Sequence, residues 1–189
     1  MKRDDAVELI ASTKDDAVSV TIMRSVQPWY QAGAAEENHF DCTGCMGGAG
    51  AIGLGLALAQ PERKVYVLDG DGSLLMQLGT LASIAGAAPP NLYHFVLVNR
   101  VYETSGKQPI PGGDDIDFAG LARSAGYRHA ESFSDLAVLQ EKLPAILATE
   151  GPVLLALEVD PEDYGESVPQ NPPADPSAKL RLELTGKSA

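Results

Sequence analysis

Residues 64–99, KVYVLDGDGSLLMQLGTLASIAGAAPPNLYHFVLVN, set two short apolar runs, Lys64–Asp69 and Leu92–Val98, on either side of a segment with helical spacing, Leu74–Ala87. A strand that is apolar throughout, and not only at every second residue, is buried on both faces, as in a parallel sheet covered by helices. The same alternation extends in both directions. Upstream, Asp4–Ser12 reads as a helix with an acidic first turn, Ala17–Met23 as a strand and Arg24–Asp41 as a long loop, and Gly44–Ala59 as a glycine turn feeding a buried helix. Downstream come a loop, Asn99–Asp115, then helix Phe118–Ala125, strand Tyr127–Ala130, helix Asp135–Ala148 and strand Pro152–Val159. The predicted fold is α/β: an open, mainly parallel sheet with helices on both faces. Residues 1–160 make up this domain. Residues 161–189, with Pro169, Pro172, Pro173 and Pro176, read as an extended arm ending in a strand at Leu180–Leu184, packed on the same domain or on a partner.

The 189 residues suffice for one well-buried core and are too few for two. A formal charge of -12 repels a phosphate backbone, and no basic stripe offsets it, so nucleic acid is not an expected partner. The apolar run Ala49–Ala59 falls well short of the roughly 20 residues that span a bilayer, so no membrane span is expected. The start turns acidic at Asp4-Asp5 and lacks the apolar centre of a signal peptide, which predicts a cytoplasmic protein. Cys42-Thr43-Gly44-Cys45 has CxxC spacing, but there is no second CxxC, and His39, His94 and His129 are scattered. Neither structural zinc nor a redox pair is favoured.

The chemistry concentrates where strand gives way to helix, at Gly70-Asp71-Gly72-Ser73. Glycines admit close approach, and a helix start offers backbone N–H groups to phosphate oxygens. Asp71 would repel such a ligand unless a divalent cation lay between them. The sequence therefore suggests Mg²⁺ held by Asp71 and by phosphate oxygens, which also offsets the acidic field. Mg²⁺ needs further oxygens, and Asn99 is placed to supply one. The 26 residues between Gly72 and Asn99 fit a helix, a turn and a returning strand, which brings both to the same sheet edge.

GDG followed some two dozen residues later by Asn resembles the cofactor motif of thiamine diphosphate enzymes. That resemblance makes Asp71, Asn99 and the backbone carbonyl of Val101 the Mg²⁺ ligands. Gly44-Cys45-Met46-Gly47, Ile52-Gly53-Leu54-Gly55-Leu56-Ala57, GDGSLLMQLGTL and NRVYETSGKQP narrow it further. Together they resemble the sulfopyruvate decarboxylase β-subunit and phosphonopyruvate decarboxylase family over most of residues 1–160. The resemblance implies cofactor contacts from Gly44, Cys45, Met46, Gly70, Gly72, Ser73 and Tyr102. Gly44 would give a carbonyl to the aminopyrimidine, and Met46 would prop the cofactor in its bent form. Thr104, Ser105, Lys107 and Gln108 would border the substrate. Two positions depart from the family pattern: Val98 stands where Asp or Asn usually precedes the metal-binding Asn, and Lys107 stands where a second Gly is usual.

The resemblance also implies what is missing. In this class a Glu from a separate pyrimidine-binding domain activates the cofactor, and 189 residues leave no room for that domain. Glu36-Glu37 reads as a solvated loop pair, so no catalytic residue is assigned to this chain. The expectation is a diphosphate-binding subunit of a small-2-oxo-acid decarboxylase, forming an aldehyde and CO₂, with a separate pyrimidine-binding subunit and self-association as well. Sulfopyruvate is the first candidate substrate and phosphonopyruvate the second. The alternatives are a non-catalytic module that binds thiamine diphosphate or another phosphate ligand, and a flavodoxin-like or nucleotide-binding domain with metal-independent binding.

Overall fold

A computed structural model describes residues 1–162 and 175–187. In chain order the elements are α1 (Arg3–Ala11), β1 (Val18–Thr21), α2 (Val26–Gln31), β2 (His39–Asp41), α3 (Ala49–Ala59), β3 (Val65–Gly70), α4 (Asp71–Met76), α5 (Thr80–Ala87), β4 (Leu92–Val98), β5 (Val101–Tyr102), β6 (Gln108–Pro109), α6 (Phe118–Ala125), β7 (His129–Phe133), α7 (Leu136–Leu147), β8 (Val153–Glu158) and α8 (Pro176–Thr185). Six strands form one parallel sheet in the order β2-β1-β3-β4-β8-β7, and β5 and β6 make a small antiparallel hairpin.

Alternate strand residues feed two cores, one on each face. Val65 and Val67 join Val18, Val20, Leu154 and Ala156 in a core with α3, α4, α5, α6 and α8. Tyr66 and Leu68 point the other way, with Phe95, Leu155 and Leu157, into a core with α1, α2 and α7. The expected α/β fold with helices on both faces is what forms. After β1 the chain runs to α2 on one face, and after β3 it runs to α4 and α5 on the other. Where neighbouring parallel strands send their connections to opposite faces, a crevice opens at their carboxyl ends. Here it lies between β1 and β3.

Four expectations on element type or extent are corrected. The strand expected at Leu180–Leu184 is helical in α8. The Asp175 side chain caps it by accepting from the Ala178 N–H, Pro176 occupies its first turn, and left-handed Gly186 ends it. Helical spacing puts Leu180 and Leu184 on the core while Leu182 stays exposed, so the alternating leucines were a false strand signal. Lys179 and Glu183 form an i,i+4 pair (3.2 Å), and the Glu183 carboxylate accepts from the Asn38 N–H beside β2 (2.8 Å). The reading of Pro169, Pro172 and Pro173 as an extended arm lies outside the described residues.

The expected loop Arg24–Asp41 contains α2 and the edge strand β2, only three residues long and so too short to show a pattern. Pro28 is tolerated in α2 because it falls in the first turn, where no intrahelical N–H is needed. The single helix expected over Leu74–Ala87 starts earlier, at Asp71, and is broken at Gln77–Gly79 into α4 and α5. The strand expected at Tyr127–Ala130 is shifted to His129–Phe133.

His39 on β2 is buried and meets hydroxyls on both sides, Ser19 Oγ at 3.0 Å from Nδ1 and Thr21 Oγ1 at 3.3 Å from Nε2. Burial, with nearby Lys14 and Lys179, pushes its pKa down to about 3. Between about pH 3 and 6.5 the unfolded chain therefore binds a proton that the folded one refuses, and stability falls as pH falls, by about 1.4 kcal/mol per pH unit. Asp71, whose pKa is raised to about 6, acts in the opposite sense in the metal-free chain. Comparison with His39→Gln removes that term: the wild-type plot of unfolding free energy against pH should be steeper by about one proton between pH 4 and 6. Equal slopes would contradict a neutral buried His39.

Candidate cofactor and metal site

At the β1–β3 crevice a pocket is lined by Met46, Gly70, Asp71, Gly72, Ser73, Asn99, Val101, Tyr102 and Thr104 from the expected set. Gly44, Cys45, Ser105, Lys107 and Gln108 do not line it. β3 and β4 pair in register through Gly70↔Leu97, so Asp71 and Asn99 both emerge just past the paired strand ends.

Asp71 is 3 % exposed. Its Oδ1 accepts from the Gly72 N–H (2.7 Å), and its Oδ2 accepts from the N–H groups of Asn99 (3.1 Å) and Arg100 (2.6 Å). Burial pushes its carboxyl up to about 6, against the opposing pull of those backbone donors. A carboxylate so desolvated gains most from a cation close by. Arg100 has a left-handed backbone (φ 64) and is held by a two-pronged contact of its Nη2 with Glu158 (2.9 and 3.0 Å). Asn99 Oδ1 accepts from the Val101 N–H at 3.1 Å.

Glycine is required at 72 because a Cβ there would lie 2.5 Å from Tyr102 Cε1; the ring lies against the bare backbone. The Gly44–Gly47 turn is tied to α4 by the Gly47 N–H, which donates to Ser73 Oγ at 2.9 Å. Gly44 (φ 85) and Gly47 (φ 86) both take the left-handed conformation. So does Lys107 (φ 59), which gives a physical reason for the glycine usual at that position. Val98 is buried in the α3–α6 core, where a polar side chain would need a partner.

Among the described residues no three His, Cys, Asp or Glu side chains are grouped as a metal centre. One carboxylate, one amide oxygen and one backbone carbonyl are nevertheless hard oxygen donors of the kind Mg²⁺ takes when phosphate oxygens complete its shell. The donor chemistry at Asp71, Asn99 and Val101 thus fits the ion. Cys42 is buried, its thiol pushed up to about 12 chiefly by that burial, so it stays protonated at neutral pH. Both cysteines are free thiols, and Glu36 and Glu37 are exposed.

Four charged lining residues escaped the sequence reading: Arg3, Arg24, Asp69 and Glu103. So did a buried chain beneath the pocket floor, in which Asp69 Oδ2 and His94 Nε2 lie 3.3 Å apart and His94 Nδ1 is 3.4 Å from the Tyr127 hydroxyl. Spacing within one helix or strand cannot reveal residues of this kind, because they lie on α1, β3, β4 and separate turns.

A parallel sheet with a buried carboxylate in the turn after one strand and an amide just past the end of the next is an arrangement suited to a metal-bridged diphosphate. The model of the family described as thiamine pyrophosphate enzyme, C-terminal TPP binding domain, matches residues 25–157, and the chain belongs to that family. Within it the chain belongs with the sulfopyruvate and phosphonopyruvate decarboxylases. It is 38 % identical over 161 residues to sulfopyruvate decarboxylase subunit beta of Methanothermobacter thermautotrophicus, covering 85 % of this chain and 83 % of that one. It is also 38 % identical over 173 residues to phosphonopyruvate decarboxylase of Streptomyces viridochromogenes, covering 91 % of this chain but only 43 % of that protein. The solved benzoylformate decarboxylase of Polynucleobacter necessarius shares the fold (TM-score 0.71, 16 % identity, 87 % of this chain and 34 % of that one).

Proposed function

We propose that this chain is the diphosphate-binding subunit of a thiamine diphosphate- and Mg²⁺-dependent decarboxylase of a small anionic 2-oxo acid, sulfopyruvate first and phosphonopyruvate second. The observation that carries the reading is the buried Asp71 carboxylate beside Asn99 and Val101 in the pocket at the β1–β3 crevice. Asp71, Asn99 and the Val101 carbonyl would hold the metal, and the first turn of α4 would face the diphosphate. When bound, the cofactor supplies an electron sink for the bonding pair left by departing CO₂. The chain's own residues bind and orient: Met46 forms an apolar wall of the pocket, Tyr102 lies over Gly72, and Thr104 stands at the substrate side ahead of Ser105, Lys107 and Gln108.

A separate pyrimidine-binding subunit is supported by the state of the pocket's carboxylates. Asp71 is bound to the metal loop, Asp69 faces His94, and Glu103 is paired with Arg3 and Arg24. Each described lining carboxylate thus has a structural commitment, which supports a catalytic Glu on another chain. No charged residue occurs between Gly72 and Leu92, and Leu58 on α3 and Met76 on α4 are each more than half exposed. Exposed apolar side chains on helices that expose no charge suit a permanent interface with that subunit or a second copy of this chain.

CO₂ release from sulfopyruvate and from phosphonopyruvate, measured for each subunit alone and for the two together, tests the proposal. Turnover is expected only with both subunits, and fastest on sulfopyruvate. No turnover of either acid by the mixture would leave a non-catalytic binding module.

A further inference from the structure

We infer that Glu103 is a positioning residue that holds the metal-binding loop, residues 99–105, in place for Mg²⁺ and the diphosphate; the inference rests on the cofactor reading above. Glu103 opens the 3₁₀ turn Glu103–Ser105, two residues beyond Val101, and its side chain is only 3 % exposed. Its Oε2 accepts from Arg3 Nη1 (3.0 Å) and Arg24 Nε (3.3 Å), and its Oε1 accepts from the Glu162 N–H (2.9 Å). Arg3 reaches further, to Asp4 (3.1 Å) and to the Glu162 carboxylate. One buried carboxylate thereby joins four separate parts of the chain: α1, the turn after β1, the metal loop and the segment after β8.

Such a network is a weak source of general stability, because desolvating the charges offsets most of their attraction. What it does provide is a fixed geometry. Besides its backbone bonds to Asp71 and to β6, the loop is held by two ion-pair anchors, and the stretch Val101-Tyr102 lies between them. The outer anchor, Arg100–Glu158, is about one-third exposed on both side chains and is screened by solvent. The inner one is Glu103, desolvated and three-fold bonded. Without it Val101 and Tyr102 keep their pairing with β6 but lose the buried anchor that follows them, so the backbone carbonyl that would serve the metal and the ring against Gly72 are held less firmly.

The test uses the full chain and reads the Mg²⁺ concentration that gives half-maximal thiamine diphosphate binding by calorimetry, alongside the thermal midpoint of the unliganded protein. Glu103→Gln should need at least about ten-fold more Mg²⁺, on the scale of lost supporting contacts at metal sites. Arg24→Gln, which leaves Arg3 on the carboxylate, should need roughly three-fold more, and charge-conserving Arg24→Lys should return close to the wild-type value. Should Glu103→Gln fail to fold, the two Arg24 variants decide. Wild-type Mg²⁺ dependence in the folded variants, whatever their thermal midpoints, would reduce Glu103 to a structural ion pair and overturn the inference. A wild-type chain that binds no cofactor at any Mg²⁺ concentration would overturn the cofactor reading, and this inference with it.

Discussion

Replacing Asp71 by asparagine is expected to weaken Mg²⁺-dependent binding of thiamine diphosphate by at least about 100-fold, about 2.7 kcal/mol, while the unliganded chain remains folded. The two halves of this expectation have one cause. Asp71 is a buried carboxylate whose pKa burial has raised to about 6, so its charge is a cost to the metal-free chain. Asparagine removes that charge and keeps a carbonyl oxygen able to accept from the Asn99 and Arg100 N–H groups. Alanine would strand those donors as well as the Gly72 N–H. Calorimetry of the cofactor with Mg²⁺ and thermal unfolding without ligand check the two halves separately. Wild-type affinity in Asp71→Asn would remove Asp71 from the metal site, and an unfolded variant would make it a folding residue.

The largest effect on stability is expected from Gly53→Ala. Gly53 sits where α3 crosses β3, and a Cβ there would lie 2.2 Å from Cγ2 of the fully buried Val67. Valine is stiff at χ1 and cannot turn aside cheaply, so helix and sheet must separate. Overpacking of this kind costs about 1–3 kcal/mol, only partly offset by alanine's better helix propensity. The thermal midpoint should fall by roughly 2–4 °C for each kcal/mol lost in a domain of this size. Adding Val67→Ala should recover much of the loss, because the two positions share one space. Strictly additive losses would show that α3 does not approach β3 so closely at this point.

Much of this was legible because the relevant signals are local. The apolar runs Lys64–Asp69 and Leu92–Val98 each became a buried strand, and the turn between Gly70 and Ser73 begins a helix as its glycines suggested. Asp71 and Asn99 fall at one edge because parallel neighbours end together. Glu103, Arg3 and Arg24 were not legible: their contacts span 79 and 100 residues, and in sequence each is an ordinary charged residue in a polar setting. α8 misled for a related reason, since Leu180-Arg181-Leu182-Glu183-Leu184 alternates like a strand. Its helical state is decided by the Asp175 cap, Pro176 and Gly186, which flank the run.

Calorimetric titration of thiamine diphosphate into the purified chain, with and without Mg²⁺ and then with the pyrimidine-binding subunit added, tests the central claim most directly. The expected result is binding that requires Mg²⁺ and tightens when the second subunit is present. Binding that is indifferent to Mg²⁺, or no binding even with both metal and partner, would contradict a metal-bridged diphosphate site at Asp71 and Asn99.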